Sequence, residues 1–185
     1  MRIALLATCA AFGLVAACST TPPATPATPP PPGTARNAVA NLTAASGSLV
    51  SGKLALMAMD DGVHIAGEVG GLAPGSTHGF HIHEKGDCSA ADASSAGGHF
   101  NPTASPHGKA ESGAHHAGDI DNIVADASGV AHVDAHVAGV ALGGGAGNDI
   151  AGRAIVVHAA PDDYASQPAG NAGARIACGV ITVSD

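Results

Sequence analysis

Aromatic residues are almost absent from this chain of 185 residues: it has no tryptophan, one tyrosine and three phenylalanines. An interior must therefore be built from alanine, valine, isoleucine and leucine. Apolar residues reach 45%, which is enough to bury a core and excludes a wholly disordered chain. Charge is scarce too, at 12%, and cations are the scarcer sign, with seven Lys and Arg against fifteen Asp and Glu for a net −8. Seven cations cannot form the basic stripe that neutralises phosphates, so nucleic acid is excluded as a partner. The longest apolar run, residues 3–17, falls short of the roughly 20 residues needed to span a bilayer. A His-Glu-x-x-His protease motif is missing, because Asp87 stands where its second histidine would be, and there is no Gly-x-Ser-x-Gly elbow or phosphate loop. In excess are glycine (26), proline (12) and histidine (11). So many imidazoles among so few charges demand an explanation.

Met1 and Arg2 ahead of the apolar run read as a secretory signal over residues 1–17. Its end, Leu14-Val15-Ala16-Ala17-Cys18, resembles the lipobox at which bacterial lipoproteins are cleaved and lipidated. Cys18 would then anchor the protein to a membrane without spanning it. Ser19 resembles the outer-membrane sorting default of Gram-negative lipoproteins, so the expected location is the envelope or periplasm, lipid-anchored to the outer membrane. Residues 18–36 form a linker that holds seven of the twelve prolines and shows no apolar period. As polyproline II, at ~3.1 Å per residue, it would hold the following domain roughly 50 Å from a membrane. The folded domain is expected over 37–185. With Cys9 in the signal and Cys18 lipidated, Cys88 and Cys178 are left to pair or to stay as two free thiols, and an exported location favours the pair.

From residue 37 the sequence breaks into short segments separated by turns. Residues 53–58 and 63–66 flank Asp60-Asp61-Gly62, a hairpin signal. Phe80 and Ile82 alternate with His81 and His83, and Ala131, Val133, Ala135 and Val137 alternate with His132, Asp134 and His136, both in strand period. Residues 154–157 and 175–183 are late strand candidates. Recurrent glycines and turns disfavour long helices, so an antiparallel sandwich or barrel is expected. Two stretches, 84–118 and 159–174, read as long irregular loops, which inside a compact domain are usually functional.

His81 and His83, two apart on a strand, leave the same face and can bind one ion. His99, His107 and His116, then Asp119, follow across the long loop and its end, and His158 closes an apolar strand. Neutral imidazoles suit copper and zinc, and an aspartate adds an oxygen that zinc accepts. Six histidines and one aspartate exceed a single tetrahedral shell, which points to two ions.

These residues carry a close resemblance to a known family. In order, the chain holds Gly71-Leu72-Ala73-Pro74-Gly75, His78-Gly79-Phe80-His81-Ile82-His83-Glu84, Gly98-His99-Phe100-Asn101-Pro102, His116-Ala117-Gly118-Asp119, Val156-Val157-His158, and Gly170-Asn171-Ala172-Gly173-Ala174-Arg175-Ile176-Ala177-Cys178-Gly179-Val180. Over about 37–185 it resembles the copper/zinc superoxide dismutases. The resemblance implies an all-β Greek-key sandwich or flattened barrel with two long functional loops, and superoxide as substrate. It implies copper on His81, His83, His99 and His158, and zinc on His99, His107, His116 and Asp119, with His99 shared and catalytic. It also implies an intrachain disulfide between Cys88 and Cys178, Asp162 hydrogen-bonded to His81 and His107, and Arg175 as the active-site arginine. His116 is preferred to His115 because its spacing reaches Asp119. His78 matches a structural position, while His64, His132, His136 and His115 are expected on the surface. The stretch from His158 to Arg175 is shorter than in the eukaryotic pattern and lacks its acidic and lysine cluster, which leaves Lys85 and Lys109 as local cations. The sequence does not decide between a monomer and a homodimer.

Overall fold

The structure, a computed structural model, describes residues 33–110 and 112–184. The expected signal, Cys18 and most of the proline linker lie outside these residues. Eight strands follow in chain order: β1 (Asn37–Ala44), β2 (Ser51–Ala58), β3 (Gly62–Gly70), β4 (Thr77–His83), β5 (Asp119–Val124), β6 (Ala131–Ala138), β7 (Ala154–His158) and β8 (Arg175–Ser184). The only helix among the described residues is the single 3-10 turn Ser94–Ala96. All strand pairings are antiparallel, in the order β5-β4-β7-β8-β1-β2-β3-β6. The outer strands β5 and β6 are consecutive in the chain, and an isolated bridge between Ala125 and Ala131 joins them at the turn. The sheet thus curls into a nearly closed, flattened barrel, the all-β architecture expected from the sequence. Among the described residues no helix is long and apolar enough to cross a membrane.

Period-2 alternation decides which residues fill the barrel. Leu54 and Leu56 of β2, Val63 and Ile65 of β3, Phe80 and Ile82 of β4 and Ile181 of β8 point inward and are fully buried. β7 is buried on both faces, because loops cover its outer side, and this explains its unbroken apolar run. With so few aromatics, Phe80 is a central filler and Phe100 a flanking one. The Arg153 guanidinium lies 3.7 Å from the centre of the Phe100 ring and donates to the carbonyls of Glu84 and Asp149, both at 2.7 Å.

Two strands exceed what the sequence signalled. β1 buries Ala38, Ala40 and Leu42 in alternation, but alanine is too weakly hydrophobic to announce a strand. β5 buries Ile120 and Ile123, three apart, against a register shift between His78 and Phe80 in β4, so its alternation is broken. Asp119, read with the long loop, is the first residue of β5. Contact with the barrel begins before β1, where Ala35 N donates to the Leu142 carbonyl at 3.0 Å.

Cys88 and Cys178 are bonded, with Cα atoms 5.8 Å apart. The bridge ties the 84–118 loop to β8 and packs with Ala45, Ala93, Ala96, Ala154 and Val156 in a satellite core.

Candidate metal centre

The face of β4 opposite Phe80 and Ile82 carries His81 and His83 out of the barrel and under the loops. An isolated bridge pairs His83 with His99, which draws the long loop across β4. His107 and His116 come from the same loop, Asp119 opens β5 and His158 ends β7. Their ligand atoms form two groups, His81, His83, His99 and His158, and His99, His107, His116 and Asp119. Within each group the atoms lie within 4.8 Å of one another, and all seven residues are buried. These are the two sets expected from the sequence.

Hydrogen bonds at one ring nitrogen define which nitrogen is left to bind. Nε2 of His81 donates to Asp162 Oδ2 at 2.8 Å, leaving its buried Nδ1 without a partner. His107 mirrors this: Nε2 donates to Asp162 Oδ1 at 2.9 Å, while Nδ1 lies 3.0 Å from Asp119 Oδ2 but out of line for a hydrogen bond. Nδ1 of His83 donates to the Gly97 carbonyl at 2.9 Å, and Nδ1 of His158 faces the Gly173 carbonyl at 3.3 Å. Their Nε2 atoms then confront each other at 3.3 Å. His99 presents Nδ1 to Asp119 Oδ1 at 2.8 Å and leaves Nε2 without a partner. Buried polar atoms without partners are costly, and facing lone pairs repel. A cation in each group satisfies every one of them. Four imidazoles suit copper, and three imidazoles with a carboxylate suit zinc.

Ionisation supports ligation. Burial lowers His81 to about 4, an effect partly offset by its hydrogen bond to Asp162. Burial also lowers His83 to about 2 and His158 to about 3. These rings are neutral near pH 7, with lone pairs available. On the other side, burial would raise Asp119, but hydrogen bonds from His99 and the His116 and Gly108 amides hold it well below its ordinary value. Asp162 is likewise held down, because bonds from His81, Tyr164 N and His107 outweigh burial.

Asp162 therefore spans the two groups, as expected. Its placement depends on residues that the sequence did not single out. The Asn122 side chain accepts from Asp162 N at 2.8 Å and donates to Asp162 O at 2.9 Å. Gln167 clamps His107 in the same way, accepting from its N at 2.8 Å and donating to its O at 2.9 Å. Tyr164 N donates to Asp162 Oδ1 at 2.7 Å, and its hydroxyl accepts from Asn122 N at 2.9 Å. Gly170, at φ +64°, has no room for a side chain, since a Cβ there would collide with Asp162 Oδ1 and His107 Nε2.

Arg175 opens β8 beside His158 and is half-buried. It donates to the Ala93 carbonyl at 2.7 Å and to the Gly97 carbonyl at 2.6 Å. Gly97 O thus receives both Arg175 and His83, which couples the cation to the four-histidine group. Five donors less two leaves three guanidinium N–H groups for an anion. A recess of about 160 Å³ lined by His158, Gln167 and Asn171 reaches the four-histidine group at His158 alone, and Arg175 is not among its lining residues. Lys109 lies 3.9 Å from Asp121 and 5.4 Å from the Tyr164 ring centre, so its charge is partly matched. His78 is buried and bonded to His158 O at 2.8 Å and to Ser76 Oγ at 2.6 Å. His115 is half-buried and turned to Gly113 O at 2.8 Å, outside both groups.

A sequence model of copper/zinc superoxide dismutase (SODC) matches residues 50–181. Superoxide dismutase [Cu-Zn] 2 of Aquifex aeolicus (strain VF5) is 45% identical over 135 residues, 71% of this chain and 79% of that protein. Superoxide dismutase [Cu-Zn] of Caulobacter vibrioides is 46% identical over 125 residues, 65% of this chain and 71% of that protein. Among solved structures, a double mutant of a SOD-like protein from Bacillus subtilis superposes with a TM-score of 0.71 at 39% identity, covering 79% of this chain and 97% of that one. Sequence, fold and the paired histidine groups agree, and the chain belongs to the copper/zinc superoxide dismutase family.

Proposed function

We propose that this chain disproportionates superoxide, two anions and two protons giving dioxygen and hydrogen peroxide, with His81, His83, His99 and His158 holding copper and His99, His107, His116 and Asp119 holding zinc. Bound copper supplies a one-electron couple, and bound zinc supplies fixed positive charge. The observation that carries this reading is His99, the one imidazole whose two nitrogens face different donor groups. With both groups filled, both of its nitrogens would be engaged and the ring would keep no proton, so a proton could join it only at a nitrogen that has come free. Its Nε2 is therefore the atom of this chain that takes up and hands on a proton beside the redox position. Arg175 binds the incoming anion through its free N–H groups, against a net charge of −8 that repels superoxide overall. Asp162 holds His81 and His107 in the tautomer that presents Nδ1 inward.

Reconstitution with both metals, metal analysis and a superoxide competition assay test this reading. Two metals per chain with rapid removal of superoxide is the expected result, and two bound metals without it would reject the enzyme in favour of a metal-sequestering or delivery protein. The proposal extends to the chain's organisation: a signal over 1–17, a tether over 18–36 lipidated at Cys18, and a catalytic domain over 37–185 that protects the cell envelope. The sequence pattern around Cys18 supports it. Fractionation should place the wild type with membranes and release the Cys18→Ser variant, and equal membrane association of both would refute the anchor.

A further inference from the structure

His99 serves both metal groups from within the 84–118 loop, outside the named strands. A short ladder over Gly98–Phe100 holds it to β4: Glu84 N donates to Gly98 O at 2.9 Å, and Phe100 N donates to Ile82 O at 2.8 Å. Gly118 N in turn donates to Phe100 O at 2.9 Å. Extended backbone turns successive side chains to opposite faces, so His99 points to the metal groups and Phe100 away from them, where it is buried. A slip of one residue in so short a ladder would reverse both. Arg153 closes over Phe100. Its guanidinium stands 3.7 Å from the ring centre, its Nη1 donates to Glu84 O at 2.7 Å and its Nε to Asp149 O at 2.7 Å. Antiparallel register places Ala154 of β7 opposite His83 of β4, so Arg153 stands just beyond the end of that ladder, beside Glu84. The turn that presents it is braced: Asp149 accepts from the Gly143, Gly145 and Ala151 amides, each at 2.8 Å, and Ile181 N donates to Arg153 O at 2.8 Å. Gly86 has no room for a side chain against Gly152 O, so the long loop and this turn are in direct contact.

Glu84 directly follows His83, Phe100 directly follows His99, and Arg153 directly precedes β7, which ends in His158. A single side chain thus joins β4, the long loop and β7, the segments that carry His81, His83, His99 and His158. His107 and Asp119 have separate supports in Gln167, Asp162 and the Gly108 amide, none of which Arg153 touches. We infer that Arg153 is a positioning residue for copper: by clamping Phe100 and Glu84 it fixes the register in which His99 and His83 face the ion, without touching metal or substrate itself. The inference rests on the copper assignment above. Residues behind metal ligands govern affinity because they hold the donor atoms in place before the ion arrives. A guanidinium suits the task, since its planar fork stacks on a ring and reaches two carbonyls at once.

The test compares the full chain with its Arg153→Gln, Arg153→Lys and Leu54→Ala variants, each loaded with Cu(II) and Zn(II). Three readouts are taken on each: chelator competition for both metals, the Cu(II) electron paramagnetic resonance spectrum and the denaturant midpoint. Arg153→Gln should lower copper affinity about tenfold or more and alter the copper hyperfine splitting, with zinc affinity within a fewfold of wild type. Arg153→Lys keeps a charge over the ring and a donor for one carbonyl, and should fall between wild type and the glutamine variant. Leu54 is fully buried inside the barrel, so Leu54→Ala should lose stability with the copper spectrum unchanged and shows what a merely structural defect looks like. An Arg153→Gln variant with the wild-type spectrum and copper affinity, zinc weakened as much as copper, or a lysine variant no better than glutamine would overturn the positioning role. A wild type that takes up no copper at the four histidines would instead overturn the copper assignment, and this inference with it.

Discussion

Replacing Asp162 by asparagine separates the two metals, because the two carboxylate oxygens have different duties. Oδ1 accepts from both His107 Nε2, at 2.9 Å, and Tyr164 N, at 2.7 Å, whereas Oδ2 accepts only from His81 Nε2, at 2.8 Å. An asparagine keeps one oxygen, and the orientation that satisfies more donors puts that oxygen at the Oδ1 position. Its NH2 group then faces the N–H of His81, donor against donor. His81 can escape only by moving its proton to Nδ1, the atom that must ligate copper. Loss of a hydrogen bond to a charged group costs about 1.5–3 kcal/mol, which at about 1.4 kcal/mol per tenfold is roughly 10- to 150-fold in affinity. Comparable perturbations behind metal ligands cost about 10–100-fold.

The Asp162→Asn variant should therefore lose about 10–100-fold in copper affinity while zinc affinity stays within a fewfold of wild type. Competition against a chelator at fixed pH, with each bound metal quantified, measures both values on one sample. Asp162→Ala, which removes both acceptors, should weaken both metals. Zinc weakened first in the asparagine variant, or copper affinity unchanged, would refute the assignment of oxygens and tautomers.

Arg175→Ala should lower turnover by about tenfold or more and flatten its dependence on ionic strength with metal content unchanged, since it removes the fixed charge that meets the substrate; unaltered kinetics at low salt would sink the docking role. Opening the Cys88–Cys178 bridge by Cys88→Ala should cost on the order of 4–5 kcal/mol of stability for a sequence separation of 90, read from denaturant midpoints, and a loss below 1 kcal/mol would contradict it. Metal-free protein should lose stability as pH falls below about 6.5. The unfolded chain then protonates imidazoles that the fold keeps neutral down to about 4 at His81, 3 at His158 and 2 at His83. Asp119 and Asp162, depressed in the fold, add a further loss at lower pH as they take up protons. The limiting slope is about 1.4 kcal/mol per pH unit for each such proton, and denaturant midpoints that stay flat between pH 7.5 and 4.5 would refute it.

The sequence made the ligands legible and the residues that position them illegible, for a physical reason. His81 and His83 stand out because a strand has period two and because imidazole is a rare, chemically distinctive side chain. The resemblance then ordered His99, His107, His116, Asp119 and His158 into two sets. Asn122 and Gln167 act on the backbone of Asp162 and His107, and Gly97 acts through its own carbonyl, so their roles depend on where loops bring main-chain groups. No local pattern encodes that. The same holds for strands: β2 and β3 were visible through Leu54, Leu56, Val63 and Ile65 around an Asp-Gly turn, whereas β1 was concealed by alanines at its buried positions.

The scarcity of aromatic rings has an optical consequence. Tyr164 is the chain's only tyrosine and there is no tryptophan, so this one phenol supplies essentially all the protein's near-ultraviolet absorption and emission above 275 nm. It stands two residues from Asp162 and touches that carboxylate through its own amide, with its hydroxyl fixed by Asn122. Light emitted by this molecule therefore comes from a single point on the scaffold of the metal centre, and filling or emptying that centre can be followed through one intrinsic reporter without any added label.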